Sequence, residues 1–136
     1  MTLYRGTVPE QRGNGAKLFY ELNGSGDPLV LVHGSWVDHK DWQLVVPHLV
    51  RSFRVLTYDR RGHSLSERPL GQWSRREDEE DLAALMEALD LAPAHVAANS
   101  FGGSIAVAEK EGVRGDPVSG KSHSRKLRRH KKSRGC

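Results

Sequence analysis

Ala94-His95-Val96-Ala97-Ala98-Asn99-Ser100-Phe101-Gly102-Gly103 is the stretch that decides the fold. Residues 94–99 form a short apolar run of the kind found in strands buried on both faces. A helix pattern follows over Ser104 to Glu109, which places Ser100 on a tight turn between strand and helix. A serine hydroxyl is a poor nucleophile at neutral pH. It needs a base to take its proton and donors to hold the oxyanion. A strained strand-to-helix turn exposes the hydroxyl, but there the two elements pass close together, so small residues are needed two before and two after the serine. Ala98 and Gly102 stand at those positions, and Gly103 adds room. At a helix N-terminus the dipole also favours developing negative charge.

Working outward, residues 17–22 (KLFYEL) read as a strand and residues 23–26 (NGSG) as a turn. Residues 28–32 (PLVLV) are a second buried strand, ending at His33-Gly34. Trp42, Val45, Val46 and Leu49 recur at helical spacing, with Pro47 near the first turn of that helix or bending it. Residues 53–58 (FRVLTY) are another buried strand, followed by Asp59-Arg60-Arg61-Gly62. The clearest helix covers residues 75–90. Ser74 and Glu77 form a capping-box pattern, acidic residues crowd the first turns, and Leu82, Leu85, Met86 and Leu89 make one apolar stripe. Pro93 marks its end. Strand and helix alternate, which implies an α/β fold with a mostly parallel sheet covered by helices on both faces.

The charge divides the chain in two. Residues 1–110 carry 12 basic and 15 acidic side chains, whereas residues 111–136 carry nine basic and two acidic ones. The second segment has almost no apolar residue and is expected to be an unstructured basic tail. The Arg/Lys run from Arg125 to Arg134 could contact phosphates, but no aromatic residue is interleaved, so no specific nucleic-acid binding is expected. Gly115 to Ser122 spells a P-loop pattern without the strand before it or the helix after it, and is read as chance. No run of 18 apolar residues predicts a membrane span, and the first 15 residues lack the apolar core of a secretory signal. The lone cysteine, Cys136, can form no internal disulfide, so a cytoplasmic setting is expected.

Three motifs in order and spacing make residues 17–110 resemble the N-terminal half of an α/β-hydrolase of the serine branch. The first is His33-Gly34-Ser35-Trp36, the second Asp59-Arg60-Arg61-Gly62-His63-Ser64-Leu65-Ser66, and the third the elbow Ala98-Asn99-Ser100-Phe101-Gly102. The second is similar to the family's D-x-R-G-x-G-x-S loop, with Ser64 in place of its second glycine. The resemblance implies Ser100 as nucleophile, backbone N–H groups of Ser35 and Phe101 as the oxyanion hole, and Trp36 as a candidate pocket wall. It further implies an ester, lactone, thioester or similar carbonyl substrate, with no cofactor and no metal. Relatives that open epoxides or cleave carbon–halogen bonds carry aspartate at the elbow, so serine excludes those branches. Cofactor-free perhydrolases stay open.

The same resemblance exposes a gap. The family's triad runs Ser, then Asp or Glu, then His, and nothing after Ser100 matches either later position. Asp116 lies in a Gly/Pro stretch, and His123 and His130 lie in the basic run. The break near residue 110 reads as a frameshift or truncation, with β-strand edge left open after the elbow and activity absent as given. The alternatives are a non-catalytic binding or regulatory protein, or nucleic-acid interaction through the tail. His33 and His95 are expected to be structural, and Asp59 and His63 to shape a loop. Trp36 and Trp42 are open between core and pocket. Asp38, His39 and Asp41 are not expected to bind metal, for want of further ligands.

Overall fold

The apolar run at residues 28–32 becomes the middle of a sheet. The computed structural model describes residues 3–8, 15–108 and 125–127. The strands are β1 (Leu3–Val8), β2 (Leu18–Asn23), β3 (Asp27–Val32), β4 (Phe53–Tyr58), β5 (Ala94–Ala98) and β6 (Arg125–Leu127). They form one sheet in the order β1-β2-β4-β3-β5-β6. The centre is parallel, β3 pairing with β4 on one side and β5 on the other. The pairs β1/β2, β2/β4 and β5/β6 are antiparallel, so the sheet as a whole is mixed. Leu31 lies opposite both Thr57 and Ala97, which aligns the C-terminal ends of the three parallel strands. His33, Asp59 and Asn99 therefore leave the sheet at one edge. In open α/β sheets this edge, where the chain reverses its winding, is the place for a ligand.

Alternation along the strands builds two cores. Val30, Val32, Leu56, Tyr58 and Val96 face one side, against α2 (Arg75–Ala88) and α3 (Phe101–Ala108) through Leu82, Leu85, Met86 and Ile105. Leu29, Leu31 and Val55 face the other, against Trp42, Val46 and Leu49. Each fully buried leucine among them contributes about 2 kcal/mol. α2 begins where the capping pattern predicts: Ser74 accepts from the Arg76 N–H, and Glu77 returns to the Ser74 N–H at 2.8 Å. Its apolar stripe starts only at Leu82, because the inward positions of its first turns are the buried carboxylates Asp78 and Asp81.

Several boundaries differ from expectation. The helix expected around Trp42 to Leu49 is split into a 3₁₀ turn, His39–Trp42, and a single turn, α1 (Val46–Leu49), with Pro47 in its first positions. Proline lacks the N–H that a continuous helix would need. α3 starts at Phe101 rather than Ser104, directly after the turn serine. β1 was not expected. Gly6 interrupts its side-chain alternation, and it lies opposite Tyr20, where a Cβ would stand 3.3 Å from the Tyr20 hydroxyl.

The basic segment also needs correction at three residues. Arg125–Leu127, expected to be unstructured, pair with Ala94, His95 and Val96. The β5 edge expected to be open is thus covered over those positions, where bare strand N–H and C=O groups offer a template for pairing. The boundary near residue 110, the P-loop-like stretch and Cys136 lie outside the described residues. No described helix is long and apolar enough to cross a membrane.

Candidate active site

Ser100 sits between β5 and α3 at φ +51°, in the left-handed region that a residue with a Cβ seldom occupies, and it is exposed. Such a conformation costs about 1–3 kcal/mol and persists only where the surroundings impose it. Here they do. The Asn99 N–H donates to the Val32 carbonyl at 3.1 Å, tying the turn to β3. Gly102 and Gly103 donate to the Asn99 and Ser100 carbonyls at 3.0 and 2.9 Å. A Cβ on Gly102 would lie 2.5 Å from the Val32 oxygen and 2.7 Å from that of His33, so this position admits glycine alone. Ala98 is opposite Val32 at the end of β5. Asn99 is exposed, its amide donating to Asp41 at 3.2 Å.

The loop after β3 lies against this turn. A Cβ on Gly34 would be 3.1 Å from both the Ser100 Cβ and the Asn99 oxygen. His33 is fully buried beneath. Its Nε2 accepts from the Arg60 N–H at 2.9 Å, which leaves the proton on Nδ1 to donate to the Gly34 carbonyl at 2.7 Å. Both ring nitrogens are occupied by backbone. Desolvation in this site holds the His33 pKa below its ordinary value; the hydrogen bond to the Gly34 carbonyl works against that shift, and the nearby Arg60 guanidinium works with it. Ser35 and Trp36 are on the surface, Trp36 at φ +65° and 99% exposed. Trp42, by contrast, packs into the second core. Neither the Ser35 nor the Phe101 N–H has an acceptor among the described residues.

The third segment, after β4, is a scaffold. Asp59 is completely buried and accepts from the His39 N–H (2.8 Å), His39 Nδ1 (2.7 Å) and the Leu65 N–H (3.1 Å). Ser66 donates to the Asp59 carbonyl and accepts from the Phe19 N–H. Arg60 pairs with Asp78 at 3.0 Å and Arg61 with Asp81 at 2.7 Å, all four buried. His63 contacts the Arg61 carbonyl and stacks edge-on against His33. Ser64 lies at φ +41°, which gives a physical reason for glycine as the usual residue there.

The two buried arginine–aspartate pairs beside the site are geometry that the sequence reading missed. A signal was present. Asp78, Asp81, Leu82 and Leu85 share the i, i+3, i+4, i+7 face of α2, so two carboxylates on a core-facing stripe demand buried cations. Other groupings carry less. One ligand atom each of Asp38, His39 and Asp59 lie within 4.8 Å of one another, but His39 Nδ1 and Asp59 Oδ1 bond to each other. Of the five described histidines, none hydrogen-bonds Ser100; His95 packs on Phe53.

The His33 environment sets a pH dependence. Its folded pKa lies below the unfolded value of about 6.5, so below that pH the unfolded chain takes up a proton that the folded one refuses. Its stabilising contribution is complete above about pH 6.5 and declines on acidification, at no more than about 1.4 kcal/mol per pH unit. The carboxyls of Asp38 and Glu77, whose pKa values are lowered, lose their contribution only at lower pH. Urea denaturation between pH 7.5 and 5.5 should show the decline in the parent and a flatter profile in His33→Gln. Equal slopes would refute it.

The alpha/beta hydrolase family model matches residues 29–129. A 2-hydroxymuconate semialdehyde hydrolase from Pseudomonas sp. (strain CF600) is 38% identical over 93 residues, covering 63% of this chain and 32% of that protein. A soluble epoxide hydrolase from Corynebacterium sp. (strain C12) is 36% identical over 93 residues, covering 68% and 32%. The crystal structure of the enol-lactonase from Burkholderia xenovorans LB400 superposes with a TM-score of 0.68 at 33% identity, over 73% of this chain and 40% of that one. The chain spans less than half the length of the curated relatives it matches, 29% to 42% for the first three.

Proposed function

The chain belongs to the alpha/beta hydrolase family, and from that premise we propose that it carries the nucleophile half of a serine hydrolase acting on an ester, lactone, thioester or similar carbonyl compound. The observation that carries this reading is the exposed Ser100, held at φ +51° with the Gly34 backbone against it. Ser100 Oγ attacks the carbonyl carbon, and the oxyanion that forms accepts from the N–H groups of Ser35 and Phe101. The start of α3 adds its dipole. The tetrahedral species collapses to an acyl-serine by expelling the alcohol, enol or thiol, which takes up the proton given up by Ser100 Oγ; water then adds to the acyl carbon, and the acid leaves as a proton returns to Ser100 Oγ. This chemistry needs no cofactor.

Similarity to the epoxide hydrolase does not carry epoxide opening across, because the elbow residue here is serine. Similarity to the enol-lactonase and the semialdehyde hydrolase favours a carbonyl substrate. None of the described histidines hydrogen-bonds Ser100. A serine with no histidine base against it retains little turnover, so we expect the 136-residue chain by itself to hydrolyse a p-nitrophenyl ester no faster than its Ser100→Ala variant. A fluorophosphonate should nevertheless add slowly to Ser100, seen as one adduct by intact mass and absent from Ser100→Ala. Labelling that survives the substitution would remove Ser100 as nucleophile. Ester turnover that disappears with it would show a complete catalytic set in this chain.

A further inference from the structure

Two adjacent arginines leave the loop after β4 for the same helix and end in different geometries. Arg61 grips Asp81 with two arms, Nε to Oδ2 at 2.7 Å and Nη2 to Oδ1 at 2.9 Å. Arg60 reaches Asp78 with one, Nη2 to Oδ2 at 3.0 Å. Arg60 Nε and Asp78 Oδ1 are left buried without a partner among the described residues. A two-armed pair is the stronger anchor, so anchoring α2 does not explain the Arg60 pose. The remainder of its guanidinium faces the site. Nη1 donates to the Gly34 carbonyl at 3.3 Å, and Cζ lies 4.7 Å from the centroid of the Phe101 ring. Its backbone N–H holds the His33 ring, whose Nδ1 donates to that same carbonyl.

We propose that Arg60 is a positioning residue that aims both oxyanion donors, an inference that rests on the function proposed above. In a trans peptide the C=O and N–H point in opposite directions. Arg60 and His33 together pin the Gly34 carbonyl inward, which turns the Ser35 N–H outward, to the exposed side where Ser100 lies. The guanidinium on the Phe101 ring fixes the first residue of α3, whose N–H is the second donor. Asp78 keeps the guanidinium in place, since a buried cation without a counter-charge is costly.

The test measures fluorophosphonate labelling of Ser100 in the full chain by intact mass, with folding of each variant checked by urea denaturation. Arg60→Lys keeps a cation for Asp78 but cannot span Asp78, Gly34 and Phe101 together. It should label roughly tenfold more slowly, less than the loss expected from deleting a donor outright. Arg61→Lys breaks the stronger pair and should lower stability while labelling at the parent rate. In amide NMR spectra, labelling should move the Ser35 and Phe101 protons downfield in the parent, and the Ser35 proton much less in Arg60→Lys. Should Arg60 variants fail to fold, Phe101→Leu decides: it leaves every N–H in place and should slow labelling about threefold. Parent-like labelling in a folded Arg60 variant, or in Phe101→Leu, overturns the proposal, as does equal slowing by Arg61→Lys. Labelling at a residue other than Ser100 instead overturns the proposed function itself.

Discussion

Gly102→Ala is expected to destabilise the protein by about 3 kcal/mol, the upper end of what overpacking costs. In an ordinary helix position the same change would stabilise by up to about 1 kcal/mol, because alanine restricts the unfolded chain and favours helix. Here the new methyl would lie 2.5 Å from the Val32 oxygen, 2.7 Å from the His33 oxygen and 3.1 Å from the Val32 carbonyl carbon. Those atoms cannot give way. They belong to the last residue of β3 and the residue after it, and β3 is the central strand, paired to β4 and β5. The alternative is for α3 to move out, which would break the Asn99 to Val32 bond that holds the turn. Gly103, one residue on, is the control. A Cβ there meets nothing within 4 Å, so Gly103→Ala should be neutral or stabilising. Urea midpoints for the two variants should therefore move in opposite directions. If both move alike, helix propensity rather than close approach governs this segment.

That contrast marks how far the sequence could be read. The need for a small residue at position 102 follows from the strand–turn–helix pattern alone. Which atoms impose it does not, because they come from β3, about 70 residues earlier in the chain. The same holds across the fold. β3, β4, β5 and the capped start of α2 were legible because each is written in a local run of apolar or capping residues. β1 was not, since its pattern is broken at Gly6 and its existence depends on pairing with β2. The split of the 39–49 segment turns on Pro47 and on Trp42 seeking the second core, a tertiary choice. At the site, Ser100, Gly34 and Ser35 could be named from motifs, whereas the Arg60 contacts join four separate segments. Acidic residues early in α2 suit the helix dipole, and that explanation concealed their second use, with Asp78 and Asp81 turned inward to meet arginines.

Asp59→Ala is the second large loss, about 4 kcal/mol, because it strips three N–H donors of their acceptor at about 1–3 kcal/mol each with partial relief from water. The carboxylate is 0% exposed and serves two chain segments at once: the backbone and ring of His39, and the Leu65 N–H across its own loop. Alanine satisfies none of these, and the site is fully buried, so bulk water does not reach every donor. Asp59→Asn keeps one acceptor oxygen, so it can serve His39 or Leu65 but not both, and should cost about half as much. Asp38 provides the comparison. It is a partly exposed carboxylate whose side chain caps the 3₁₀ turn at the Lys40 N–H, and Asp38→Ala should cost about 1 kcal/mol, the ordinary value of a cap. Urea denaturation at pH 7.5 ranks the three variants. The ranking matters for the site, because Asp59 leads directly into Arg60: a loop that loosens at Asp59 releases the guanidinium from Gly34 and Phe101. Ser100 labelling should then fall in Asp59→Ala beyond what its unfolded fraction explains, while Asp38→Ala labels as the parent does. A loss under 1 kcal/mol in Asp59→Ala would mean that the loop is held by Ser66 and the arginine pairs without it.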